Sequence, residues 1–147
     1  MDRAYDMFHD VLVNLFNEIM DVEEQAIITP EFQDITNNDM HVIEAVGVDR
    51  PKSMSSVARA LSVTVGTLTI AMNSLVKKGY VCRQRSSEDR RVVLVSLTER
   101  GRKAYEHHKK FHEQMIQAML DGLSQKETET LVTALTHLRE FFRNYGK

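Results

Sequence analysis

The fold is decided by residues 53–97, which read SMSSVARALSVTVGTLTIAMNSLVKKGYVCRQRSSEDRRVVLVSL. The stretch opens with a short amphipathic segment, and Ser53 is placed to accept hydrogen bonds from the free backbone N–H groups of its first turn. Ser62 begins a tight turn, and Thr64 is a second N-cap residue. The second helix should end at Gly79, because glycine readily adopts the left-handed conformation that closes helices. Two short helices joined in this way predict a helix-turn-helix.

The second helix divides into an inner and an outer face. Leu68, Met72 and Leu75 recur at helical spacing and should face the core, whereas polar and small residues cover the outside of the N-terminal half. In a recognition helix that half meets the base edges. Gly66 lets the backbone approach phosphate, and Asn73 can bond adenine or phosphate. The predicted DNA contacts of the two helices are Ser53, Thr64, Gly66, Thr67, Thr69, Ile70 and Asn73. The alternative is an ordinary helical hairpin with a polar surface.

A β-hairpin follows the second helix directly. Residues 80–85 alternate apolar and basic side chains, 86–89 form a turn, and 90–97 return as the partner strand. Arginines at the tip of such a wing can enter the minor groove, where negative potential is concentrated. The predicted DNA contacts of the wing are Arg83, Arg85, Asp89, Arg90 and Arg91. The alternative is a surface hairpin with solvated arginines.

Charge is strongly segregated along the chain, although the net charge is only −2. Residues 77–110 contain 11 Lys and Arg against 4 Asp and Glu, whereas residues 1–50 contain 2 against 12. This pattern predicts a positive face for phosphates on an otherwise acidic body. No apolar run approaches the roughly 20 residues of a membrane span, and no signal peptide is apparent, so we expect a cytoplasmic protein with no membrane partner. The single cysteine, Cys82, excludes an internal disulfide and is expected to be a small buried core residue rather than a redox sensor.

The flanking helices carry more apolar surface than a small winged lobe can cover. The long first helix and the last two helices have wide apolar stripes, which symmetric association would bury. A two-fold homodimer matches a palindromic DNA operator with half-sites about one helical turn apart. The predicted fold class is therefore mainly α with a small β-wing: a winged helix-turn-helix of six helices plus a β-hairpin. The chain is predicted to be one domain, 1–147, with a DNA-binding lobe at 36–97 and dimerisation helices at 1–30 and 98–147. A monomeric helical bundle is the alternative.

Four runs of sequence carry a resemblance to the MarR family of winged-helix regulators. They are TVGTLT at 64–69, LVKKGY at 75–80, DRRVV at 89–93 and LTERG at 97–101, and the resemblance extends over essentially the whole chain. It implies that Arg91 enters the minor groove, that Asp89 orients it and that Arg90 contacts phosphate. It also implies a dimer formed by the N- and C-terminal helices. The chain has no glycine-rich phosphate loop, nucleophile elbow or Cys-x-x-Cys pair, so we do not expect an enzyme.

Within that family, the chain is similar to the fatty-acid-synthesis repressors of Gram-positive cocci. The runs DMHVI at 39–43, HKKFH at 108–112 and DG at 121–122 carry this closer similarity. It implies a repressor of type II fatty acid synthesis genes with long-chain acyl-acyl carrier protein (acyl-ACP) as corepressor. The acidic carrier protein would suit the basic region 77–110.

The histidines leave a second interpretation open. His108 and His112 are i, i+4 neighbours on one helix, a spacing that can chelate zinc, and His41 with Glu24 could complete the site. Zinc-sensing MarR regulators use a similar set of residues. However, His41 and His112 also fall within the pattern of the fatty-acid subgroup, and histidines between helices more often form hydrogen bonds. A third interpretation, from another class, is a helical protein-interaction module without a DNA role.

Overall fold

Six helices and a three-stranded antiparallel sheet form the chain in the computed structural model, which describes residues 2–147. Helix α1 is continuous through Asp2–Asp10, a π-helical stretch Val11–Leu15 and Phe16–Ile27. The other helices are α2 Asn37–Val46, α3 Met54–Ala60, α4 Val65–Lys78, α5 Glu99–Asp121 and α6 Gln125–Asn144, and the strands are β1 Lys52–Ser53, β2 Val81–Arg85 and β3 Val93–Leu97. The predicted fold class, a winged helix-turn-helix with six helices, is confirmed, although the sequence did not indicate the π-helical stretch.

Side-chain caps define the helix-turn-helix as predicted. The Ser53 hydroxyl accepts from the backbone N–H of Ser56 at 3.2 Å to begin α3, and the Thr64 hydroxyl accepts from that of Thr67 at 3.1 Å to begin α4. Gly79 closes α4 with φ 86° and ψ 17°, a left-handed conformation in which a Cβ would be strained. These local interactions explain why the boundaries of both helices could be read from the sequence.

The sheet contains one strand that the sequence did not indicate. Its order is β1-β3-β2, and β1 pairs with β3 through Lys52 opposite Val95 and Ser53 opposite Leu94. Since Ser53 is also the N-cap of α3, this pairing attaches the first helix of the helix-turn-helix directly to the wing. The wing is therefore not an independent hairpin but part of the DNA-binding lobe.

Two local predictions about the wing are wrong. Strand β3 begins at Val93 rather than at Arg90, because the Asp89 carboxylate accepts from the backbone N–H of Arg91 at 3.0 Å and extends the turn. Cys82 is exposed rather than buried. Successive side chains of a strand point to opposite faces, and the buried Val81 takes the inner face, which leaves Cys82 on the outer one.

The chain divides into two compact units, one ending at His108 and the other comprising Lys109–Lys147. Within the described residues, the buried apolar side chains all lie in the first unit, between Ile27 and Ala104, and include Ile43, Met72 and Leu75 at 0 % exposure. None of residues 109–147, all of which the structure describes, is buried. No single helix among residues 2–147 is both long and apolar enough to cross a membrane; α3 and α4, bent by 105°, meet the length and composition requirement only as a pair.

Candidate nucleic-acid interface

The outer face of α4 presents the residues predicted to contact DNA. Gly66, Thr67, Ile70 and Asn73 are exposed, and Ile70 retains 75 % of its accessible surface. Leu68, Met72 and Leu75 on the opposite face are at most 1 % exposed. A large apolar side chain such as Ile70 standing in water on a polar face is suited to contact the methyl group of thymine.

A concave groove of about 620 Å³ lies between α4, the start of α3 and the wing. It brings together four predicted contacts from three different elements. These are Ser53, Thr69, Arg83 and Arg91. The groove is also lined by Ser55, an exposed residue in the first turn of α3 that is not among the predicted contacts. Its position at a helix N-terminus, where free N–H groups favour anions, was the available signal.

At the tip of the wing, the guanidinium of Arg91 is held by the carboxylate of Asp89. Arg91 donates from Nε to Asp89 Oδ1 and from Nη2 to Asp89 Oδ2, both at 3.1 Å, while 91 % of the Arg91 side chain is exposed. The guanidinium lowers the pKa of the Asp89 carboxyl, so the carboxylate stays ionised and keeps its two acceptors. Arg85 donates to the backbone oxygen of Arg90 at 2.9 Å, which further orders the turn. The planar, bidentate pair leaves the arginine oriented and accessible.

A second arginine is held by the recognition helix itself. Arg83 donates from Nη1 to Oδ1 of Asn73 at 2.6 Å, and both residues are exposed. Arg83 lies on β2 opposite Val95 of β3, so this bond joins the middle of the wing to the last predicted DNA contact of α4. The sequence suggested DNA contacts for both residues but not their pairing.

The C-terminal end of α4 is fixed by a cluster that the sequence did not reveal. The buried Tyr80 donates its hydroxyl to Asp34 at 2.5 Å, and Arg100 lies 3.4 Å from the same carboxylate with its guanidinium 4.5 Å from the centre of the Tyr80 ring. The hydrogen bond from Tyr80 lowers the pKa of Asp34, whereas burial and the bond to Asp34 raise the pKa of Tyr80. Asp34 belongs to the loop before α2, so this cluster ties that loop and α5 to the end of the recognition helix.

A further ion pair joins the end of α4 to the start of α2. Lys78 donates to Asp39 at 2.7 Å, and the Asp39 side chain is only 7 % exposed. Asp39 is also the N3 residue of a capping box with Thr36. The carboxylate thereby satisfies a helix N-terminus and neutralises a lysine at a helix C-terminus.

The structure does not bring together all four residues considered for zinc. The buried His108 lies with Nε2 3.0 Å from Oε1 of Glu44, a residue outside the predicted set, and His112 follows one turn later on α5. The 3.0 Å separation is a hydrogen-bond distance. Among residues 2–147, neither Glu24 nor His41 belongs to a cluster of potential metal ligands, and both are exposed.

A recognition helix with an exposed polar face, a wing with an oriented arginine and a sheet that joins them define a winged-helix DNA-binding protein. The model of the family "Transcriptional regulator SarA/Rot" matches residues 27–108, and the chain belongs to this family, with the winged-helix fold of MarR-type regulators. Because this is a family of transcriptional regulators, the expectation that the protein is not an enzyme is confirmed.

Individual relatives agree with this assignment. Streptococcus pneumoniae FabT in complex with DNA superimposes with a TM-score of 0.89 at 36 % identity, over 95 % of this chain and 98 % of that chain. The regulator SarZ of Staphylococcus haemolyticus is 33 % identical over 105 residues, covering 71 % of this chain and 70 % of that protein. The Staphylococcus aureus MepR–DNA complex has a TM-score of 0.66 at 26 % identity, over 86 % of this chain and 94 % of that chain.

Proposed function

We propose that this chain is a repressor that binds a palindromic operator as a homodimer and controls fatty-acid-synthesis genes, with long-chain acyl-ACP as corepressor. The observation that carries the proposal is the similarity to FabT, whose DNA complex matches nearly the full length of both chains. The short runs at 39–43, 108–112 and 121–122 support the same subgroup. The regulator class follows from the family, whereas the gene set and the ligand are proposed from the similarity to FabT.

Exposed apolar surface supports the homodimer. Helix α1 exposes Phe8, Leu12, Phe16 and Met20, each at more than half of its accessible surface. On α6 the exposed apolar residues are Leu131, Val132, Leu135, Leu138, Phe141 and Phe142. Helices that expose this many large apolar side chains are typical of interaction sites. A second copy of the chain would cover this apolar surface on both subunits, because a two-fold interface uses the same surface of each subunit.

The proposed DNA contacts follow the division of labour in a winged-helix complex. The exposed face of α4, from Thr64 to Asn73, would enter the major groove, and Arg91 would enter the adjacent minor groove. Ser53, Arg85 and Arg90 would position the lobe on phosphates. The wing therefore combines shape readout with electrostatic attraction.

Acyl-ACP acts as a corepressor only if it binds the DNA-competent state better than the other state. The basic region 77–110 offers an acidic carrier protein exposed cationic groups outside the α4 face, including Arg102 and Lys103 on α5. The acyl chain would require an apolar site of its own. Its presence is testable through the effect of acylation on DNA affinity.

The first experiment titrates the purified protein onto duplexes containing palindromes from its own promoter region. Each titration is run alone, with long-chain acyl-ACP, with the unacylated carrier, and with zinc after chelator treatment. Tightening by the acylated carrier alone is the expected result. Tightening by zinc instead, lost in His108→Ala, would replace the lipid proposal by metal sensing. Absence of specific binding to any such duplex, with Arg91→Glu no different from wild type, would favour a protein-interaction module.

The wing can be tested through Asp89→Asn. This change removes a negative charge from the wing, so electrostatics alone predicts tighter DNA binding. If Asp89 serves to orient Arg91, the variant should instead bind the operator several-fold more weakly, since a freely rotating guanidinium must be ordered on binding. Fluorescence anisotropy at one fixed salt concentration measures the difference, and tighter binding by Asp89→Asn would refute the orienting role.

A further inference from the structure

We infer that Arg83 is a positioning residue that holds the side-chain amide of Asn73 in one orientation for reading a base. The inference rests on the proposed function as a sequence-specific DNA-binding protein and assigns a specificity role within it. Arg83 would otherwise count only as one more positive charge facing the phosphates.

The bond between the two side chains settles the orientation of the amide. A guanidinium has donors and no acceptor, so the atom of Asn73 that faces Nη1 at 2.6 Å must be its oxygen. The amide NH₂ group is then turned away from the wing strand. Oδ1 retains a second acceptor site, because a carbonyl oxygen has two lone pairs. Asn73 can therefore offer one acceptor and its donors to a base edge while bonded to Arg83.

Orientation matters because the two ends of an amide are nearly the same shape. A bidentate contact with adenine needs the oxygen opposite N6–H and the NH₂ opposite N7. Turning the amide over places donor against donor and acceptor against acceptor. Asn73 is exposed on the outer face of α4, and Arg83 supplies a charge-assisted bond that favours one of the two orientations before DNA arrives.

Thr69, the neighbouring polar residue on this face, already uses its hydroxyl hydrogen in a hydrogen bond. Thr69, one turn before Asn73, donates its hydroxyl to the backbone oxygen of Val65 at 2.8 Å. It therefore turns its methyl group and an acceptor outward. In this turn, Asn73 has the side chain that offers both a donor and an acceptor. The orientation of its amide therefore determines which base edge this part of α4 can recognise.

Two roles of Arg83 make different predictions. A phosphate contact has no sequence information, so its loss weakens binding to all duplexes alike and reduces the salt dependence by about one unit of slope. A positioning residue transmits its effect through Asn73. Its loss should remove the preference at the one base pair that Asn73 reads and leave the other preferences in place.

The test begins with selection of preferred duplexes from a random pool by the wild-type protein. Affinities are then measured for every single-base substitution in the selected site, using wild type, Asn73→Ala, Arg83→Met and the double variant. Arg85→Met is the matched control, because it removes an exposed arginine from the same face of the same strand. Thermal melts of all variants confirm that each is folded.

In wild type we expect roughly tenfold discrimination at the position read by Asn73. Asn73→Ala and Arg83→Met should each reduce it to near unity at that same position, and the double variant should reduce it no further. Arg85→Met should weaken binding while preserving this preference. The inference would be overturned if Arg83→Met lost affinity equally for all duplexes and kept its discrimination. It would also be overturned if Asn73→Ala changed no base preference. Failure of wild type to select any sequence would instead refute the proposed function.

Discussion

Replacing Gly101 or Gly66 by alanine is expected to change the stability of the protein in opposite directions. Both lie in the first turn of a helix, Gly101 in α5 and Gly66 in α4. A Cβ on Gly101 would run into the backbone oxygen of Tyr80 and lie 3.2 Å from Cβ of Leu97. A Cβ on Gly66 would have only the Thr64 hydroxyl oxygen near it, at an ordinary contact distance of 3.9 Å. Alanine is therefore expected to be accommodated at one site and rejected at the other.

The size of the loss at Gly101 can be worked from its neighbours. The obstructing Tyr80 oxygen is backbone and accepts from the Thr98 N–H at 3.0 Å, so it cannot rotate away as a flexible side chain would. Overpacking costs about 3 kcal/mol at such a site and a weakened hydrogen bond about 1 kcal/mol, against a gain of about 1 kcal/mol in helix propensity. We expect Gly101→Ala to lose about 3 kcal/mol and Gly66→Ala to gain up to about 1 kcal/mol.

Urea unfolding at one protein concentration measures both values, and the melting temperature of Gly101→Ala should fall by roughly 6–12 °C. Operator binding supplies a second readout. Gly66→Ala should bind DNA more weakly despite its stability, because the methyl group separates the backbone from phosphate. Equal stability of the two variants, or a Gly101→Ala protein more stable than wild type, would refute the steric reasoning.

Two further variants test the contacts at the end of α4. Tyr80→Phe should lower the free energy of unfolding by about 1–2 kcal/mol at pH 7, because Asp34 loses a hydrogen bond to its charged form. The hydrogen bond lowers the pKa of Asp34, so its contribution to stability is present above the ordinary pKa of 3.8 and is lost as the pH falls through the depressed pKa. The difference in unfolding free energy between wild type and Tyr80→Phe should therefore be smaller at pH 3 than at pH 7. An equal difference at both pH values would contradict this reasoning. Lys78→Met should cost about 1–3 kcal/mol in urea unfolding, since it leaves the nearly buried Asp39 carboxylate without its cation, and a neutral result would mean that the pair only compensates its own desolvation.

Features determined by neighbouring residues were the ones that the sequence predicted well. The caps at Ser53 and Thr64 and the left-handed Gly79 each depend on residues within one turn, so the predicted starts of α3 and α4 and the predicted end of α4 are confirmed. The period of α4 likewise identified its inner face, because buried and exposed side chains alternate with the helical repeat.

Features determined by distant residues were missed or misjudged. The bond between Asp34 and Tyr80 joins residues 46 positions apart, and strand β1 exists only because β3 passes beside it. The partner of His108 is Glu44 on α2, and no spacing rule within α5 could have identified it. The DNA contacts proposed from sequence remain predictions, although a single groove now brings Ser53 and Arg83 together.

The two ends of the recognition helix are held in very different ways. Its N-terminal half, which we propose faces the DNA, is anchored by its own cap and by its buried face. Its C-terminal end is held from three directions: Lys78 by α2, Tyr80 by the loop before α2, and the backbone oxygen of Gly79 by the Thr98 hydroxyl at 2.6 Å. Movement of α2 or of the start of α5 must therefore either break these bonds or carry α4 with it. Because either movement would break at least one of these polar contacts, carrying α4 along avoids that cost. A ligand that shifts either element acts on the orientation of the DNA-reading face without touching it, which is the physical requirement for allosteric control of operator binding.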